Sequence, residues 1–147
     1  MIDFIDYKEV VLLLPKIEKR QIVPFYGCSV SAGFPSPADD FLEKKVDLNN
    51  FLIRDQASTF LVKVSGDSMI DVGICHGDIL IVDRSVPAKH NHIVVGAIDG
   101  EFTVKRLLQE KNNTLLKPEN PAYQVVEITP DKNFRILGVV TFAIRNF

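Results

Sequence analysis

Tryptophan is absent from these 147 residues, cysteine occurs twice, and neither sign of charge dominates: 17 Lys and Arg stand against 19 Asp and Glu, a formal net charge of -2. Each shortage excludes something. Without a basic excess the chain as a whole lacks the electrostatic footprint that drives nucleic-acid binding, so no direct sequence-specific DNA binding is expected. Cys28 and Cys75 make neither a CxxC pair nor a disulfide framework, which points to reduced thiols in a cytoplasm. Long apolar runs are missing as well. The run near the start ends after Val10 to Leu14, where a membrane span needs about 20 residues. Asp3, Asp6 and Glu9 put acid where a secretory signal carries positive charge, so neither export nor a membrane anchor is expected.

What is present describes a globular chain: 46% hydrophobic residues, 24% charged, and 10 Phe. Its length suits one domain plus a tail. Residues 1–32 read as a flexible arm, apolar patches broken by Pro15 and Pro24 and followed by the small, polar run GCSVSAG. Residues 33–147 read as the folded domain. In SPADDFLEKK, Ser36 suits an N-cap, Pro37 the first helical position and Asp39 the third place of a capping box, which predicts a short helix starting there. Beyond it the pattern becomes strand-like in TFLVKVSG, DILIVD, HIVVGAID, EFTVKRLL, YQVVEIT and RILGVVTFAI, each rich in β-branched or aromatic residues and bounded by turn formers. The expected fold is mainly β, with no βαβ alternation. Asp99 and Gly100 form the strongest hairpin signal, since a type I′ turn wants positive φ at both central positions.

Chemistry could reside in Ser68 and Lys105. A serine hydroxyl is a poor nucleophile near neutral pH and needs a base, and a lysine serves when partial desolvation disfavours its charged form. Phe102, Val104, Leu107 and Leu108 surround Lys105 on a strand, while Gly66 permits a tight turn that lifts Ser68 out of the sheet. Backbone N–H groups of Asp67 and Ser68 would then face a developing oxyanion. Spacing alone leaves this dyad open, because any chain of this size holds a serine after a turn and a lysine on a strand. His76, His90 and His92 invite a zinc or Ser-His-Asp reading, but no third ligand is suitably spaced and a solvated loop explains them. Asp67, Asp71, Asp78 and Asp83 flank turns, where Asp is common for local reasons. Cys75 has no partner that would lower its pKa and reads as a packed thiol. No metal or other cofactor is expected.

In order, GFPSPADDFLEKKVDLN, SGDSMID, GDILIVD and IDGEFTVKRL closely resemble the UmuD family of SOS mutagenesis proteins, relatives of LexA-type and self-cleaving phage repressors. The resemblance runs from Gly33 to the C-terminus and implies a LexA-like, signal-peptidase-like β-domain. It also implies roles: Ser68 as nucleophile, Lys105 as its base, and the bond from Ala32 to Gly33 as the one the protein cuts in itself, removing residues 1–32. Pro35 and Pro37 discourage helix around that bond, and Ala32 and Gly33 are small enough for a tight cleft. Ala32 replaces a cysteine frequent in the family. The implied partners are a second copy in a homodimer, a RecA filament on single-stranded DNA, and a UmuC-like catalytic subunit of an error-prone polymerase, DNA polymerase V.

Three other readings compete. A LexA-type or phage repressor would use the same dyad but needs an N-terminal DNA-binding domain, for which residues 1–32 offer no helix-turn-helix pattern. A signal-peptidase-like enzyme would carry a membrane anchor. A catalytically idle binding module would only dock its β-domain on another protein. The long apolar strand RILGVVTFAI, as a sheet edge or apolar face, is an association liability unless something covers it, which suits a homodimer.

Overall fold

Antiparallel pairing organises almost everything beyond residue 55. The computed structural model describes residues 4–7, 10–13, 19–26, 32–33 and 42–147, side chains excepted for 4–13, 26 and 42–43. Its strands are β1 (Phe4–Tyr7), β2 (Val10–Leu13), β3 (Ile22–Tyr26), β4 (Leu42–Asp47), β5 (Thr59–Lys63), β6 (Ile79–Asp83), β7 (Ile93–Ile98), β8 (Glu101–Gln109), β9 (Thr114–Lys117), β10 (Val126–Ile128) and β11 (Phe134–Ile144). One short helix, α1 (Leu48–Leu52), comes directly after β4.

The chain divides into two compact units. Residues 1–16 with 55–147 form one, and residues 17–54 form the other. The first holds a nine-stranded sheet in the order β1-β2-β5-β6-β11-β7-β8-β9-β10. Its central strands are apolar on both faces. Val95 packs in a cluster with Phe60, Val62, Leu80 and Val82, while its neighbour Val94 packs with Leu107, Leu116 and Val139 on the opposite side. Consecutive residues of a strand point to opposite faces, so a sheet covered on both sides needs continuous apolar runs such as ILIV and IVV rather than alternation. Asp99 and Gly100 turn β7 into β8 with φ of 49° and 86°, the positive pair that this hairpin requires.

The second unit is β3 paired with β4, and then α1. Here two expectations change. Residues 34–41, including Ser36, Pro37 and Asp39, lie outside the described residues, but Leu42–Asp47 is a strand, so no helix runs through LEKK. A short helix does begin at Leu48, where the Asp47 side chain caps it by accepting from Asn49 N–H. The other change concerns the C-terminal strand. β11 is no edge: it is hydrogen-bonded to β6 on one side and β7 on the other. Gly138 permits that insertion, because a Cβ there would lie 2.7 Å from Val82 Cγ1 and 3.1 Å from Asp83 O.

Candidate active site

Ser68 belongs to the loop joining β5 to β6, and the two ends of that loop are tied together. Val64 N–H donates to Asp78 O and Gly77 N–H to Val64 O, each at 2.8 Å. Gly66 turns the chain with φ 88°, and its N–H donates to His76 Nδ1 at 3.1 Å. Met69, immediately after Ser68, is buried in the core and anchors the turn. On the far side, Asp78 is buried and accepts from Arg145 Nε at 2.8 Å, Arg145 Nη2 at 2.7 Å and Cys75 N–H at 2.8 Å. Those donors, Arg145 foremost, hold the Asp78 carboxyl below the ordinary range against the opposing effect of burial.

Lys105 lies on β8, and its ammonium meets three oxygens: Ser68 Oγ at 3.0 Å, Thr103 Oγ1 at 2.9 Å and Val104 O at 2.9 Å. Thr103 and Lys105 are two apart on a strand and therefore share a face. In the neutral amine, two N–H bonds go to Thr103 and Val104, which leaves the lone pair for the Ser68 hydroxyl. Ser68 and Lys105 are both half-buried, in a cleft lined by residues 63–66 and 102–105 together with Met69.

The loop after β9 holds Ser68 from behind. Asp67 O accepts from Ile70 N–H and from Asn120 Nδ2, each at 3.1 Å, and Asp67 Oδ1 accepts from Tyr123 Oη at 2.5 Å. Ser68 O accepts from Glu119 N–H at 2.8 Å, and Glu119 O accepts in turn from Asp71 N–H at 2.9 Å. The Glu119 carboxylate is engaged by Arg106 and, at 3.7 Å, by Lys117, and hydrogen bonding to Arg106 lowers its pKa. A peptide group is planar, so anchoring the Asp67 carbonyl fixes the direction of the Ser68 N–H at the other end of the same plane. Among the described residues, no protein acceptor takes the Asp67 or the Ser68 N–H. The Ser68 N–H is thus held in direction, and the Asp67 N–H one residue before it is likewise untaken.

The other candidates have local work. His76, His90 and His92 each accept a backbone N–H at Nδ1, from Gly66, Gln109 and Lys89. Asp83 is buried and accepts from Ser85 N–H and Oγ. Cys75 is a free thiol, and Cys28 lies outside the described residues. Among the described residues no group of three His, Cys, Asp or Glu could hold a metal, and no helix is long and apolar enough to cross a membrane. Ala32 and Gly33 are exposed in a bend of the connection between β3 and β4. Sequence reading missed Thr103, Glu119, Asn120 and Tyr123. Strand alternation would have found Thr103, whereas the other three reach the site through a loop whose path no periodicity reveals.

Comparison with known proteins agrees with this geometry. The family described as Peptidase S24-like matches residues 24–141. Protein ImpA of Escherichia coli is 41% identical over 136 residues, 88% of each chain. Protein MucA of Escherichia coli is 44% identical over 123 residues, 83% of this chain and 84% of that one. Protein SamA of Salmonella typhimurium is 43% identical over 132 residues, 89% and 91% of the two chains. With a Ser-Lys pair in hydrogen-bond contact on an antiparallel β-domain, and relatives matched over most of their length, the chain belongs to the Peptidase S24-like family and, within it, to the UmuD family of SOS mutagenesis proteins.

Proposed function

We propose that the protein is a self-cleaving serine peptidase of SOS mutagenesis that cuts its own bond from Ala32 to Gly33, with Ser68 as nucleophile and Lys105 as general base. The observation that carries this is the 3.0 Å contact from Lys105 Nζ to Ser68 Oγ. Neutral Lys105 takes the hydroxyl proton as Oγ attacks the Ala32 carbonyl carbon, and the N–H groups of Asp67 and Ser68 receive the oxyanion. Collapse breaks the C–N bond, and Lys105 returns the proton to the departing Gly33 nitrogen. Water then attacks the acyl-serine, again through Lys105, and releases Ala32 as a carboxylate.

The product, residues 33–147, serves as the accessory subunit of an error-prone translesion polymerase with a UmuC-like catalytic subunit. A RecA filament on single-stranded DNA favours the cleavable arrangement, and the protein acts as a homodimer. Family membership supports these partners. Intact-mass measurement after incubation with RecA, ATP and single-stranded DNA is the test: the expected product starts at Gly33, and Ser68→Ala, Lys105→Ala and Lys105→Arg should each yield none. Arginine fails because guanidinium stays protonated. Persistent product in any of the three overturns the dyad, and an unchanged mass in the unaltered chain favours a module that only binds. Sedimentation at tens of micromolar checks the homodimer, which monomers would refute.

A further inference from the structure

Ala32 and Gly33 lie between β3 and β4, so a cut there severs a connection and leaves the strands on both sides whole. Much of the chain before the cut is paired with the chain after it. β2 is registered against β5, with Val11 opposite Lys63, Leu12 opposite Val62 and Leu13 opposite Leu61. β3 is registered against β4, from Ile22 opposite Asp47 to Tyr26 opposite Leu42. Three more bonds hold residues 19–21: Leu48 N–H donates to Gln21 O at 2.8 Å, Gln21 N–H to Asp47 Oδ1 at 3.3 Å, and Asn49 Nδ2 to Lys19 O at 2.6 Å. Hydrolysis breaks none of these.

We infer that the fragment 1–32 stays on residues 33–147 after the cut as a non-covalent clip, and that its departure, not hydrolysis itself, bares the edges of β4 and β5. The inference rests on the proposed cut from Ala32 to Gly33. The new carboxylate and ammonium form at exposed positions, so neither is buried and the pairing on either side is undisturbed. Each pairing is short, and an isolated pair of strands is marginal in water. Two pairings on one fragment reinforce each other, because while one holds, the other re-forms as an intramolecular event.

Ile22, Val23 and Phe25 remain partly exposed on β3, so the pairing there leaves apolar surface uncovered. Once bare, the β5 edge offers unpaired N–H and C=O groups, the template that strand addition uses.

A nick made without the protein's own chemistry tests this. In the full chain carrying Ser68→Ala, a recognition site for an added protease replaces residues 27–31, and the nicked product is run at about 10 micromolar, well below the millimolar effective concentration of a linked segment. Denaturing mass spectrometry should show two fragments, and native mass spectrometry and gel filtration one species of their summed mass. The amides of residues 61–63 should stay as protected from hydrogen exchange as in the uncut chain. Leu12→Pro with Val23→Pro should weaken retention at least tenfold, since proline removes ladder donors. Separate elution of the fragment from the unaltered nicked chain, loss of amide protection on nicking, or equal retention in the proline variant overturns the inference. Failure of the unaltered chain to cut itself would refute the proposed function and leave this result readable.

Discussion

Lys105 shows how far one side chain's surroundings decide its chemistry. Its ammonium donates to Ser68, Thr103 and Val104, and in the proposed mechanism the neutral amine turns its lone pair on Ser68. An ordinary lysine titrates near 10.4, so self-cleavage without RecA should accelerate as the pH rises from about 7 to 10. Asn120 bears on the other half of the reaction. Its Nδ2 holds the Asp67 carbonyl and thereby orients the Ser68 N–H, so in the proposed mechanism it is a positioning residue for the oxyanion. Asn120→Ala should slow cleavage about 10- to 100-fold, somewhat less than outright loss of an oxyanion donor, while leaving the pH midpoint in place. Asn120→Asp keeps the size, cannot donate, and should fare no better. Rate against pH, read beside the thermal midpoint and the Ser68 amide NMR shift, decides the matter: a moved midpoint would mean that Asn120 acts through the lysine, and a slower rate that merely tracks unfolding would mean a structural role.

Six strands were legible because β-branched and aromatic runs bounded by turn residues are dictated by burial in the sheet. The remaining five were not. β9, TLLK, is too short to show a period, and Pro24 argues against a strand at β3. Pro24 is tolerated because β3 pairs on one side only, with β4, which leaves a proline free to sit where no ladder donor is needed. The contact of Ser68 with Lys105, 37 residues apart, was unreadable from spacing and needed either a resemblance or coordinates. Neighbour order is equally invisible in a sequence: RILGVVTFAI reads as apolar, but nothing in it says that it lies between two other strands. Gly138 is the residue that this position demands. Gly138→Ala should destabilise by about 1–3 kcal/mol, because its Cβ would collide with Val82 and the Asp83 main chain. Chemical denaturation measures this, and an unchanged midpoint would show that β11 can shift aside at no cost.

Over the whole molecule, the segment after β11 is fastened to the Ser68 loop by Arg145 and Asp78, and Arg106 with Glu119 fastens the loop behind Ser68. Both carboxylates titrate below their ordinary values. Their contribution to stability is therefore complete above the unfolded pKa, near 4, and is lost as the pH falls through the lower folded values. Unfolding monitored from pH 7 to about 2 should show stability eroding below about pH 4, and Asp78→Asn should be less stable at pH 7 yet lose less on acidification. Equal acid sensitivity in the variant would remove Asp78 from the account. The place of β11 also sets a clock. Ser68 lies between β5 and β6, Lys105 lies on β8 beyond β7, and the strand joining these two halves follows both of them in the chain. A growing chain therefore carries both residues before it carries the strand that joins their halves, so Ser68 and Lys105 are brought together only once β11 is in place.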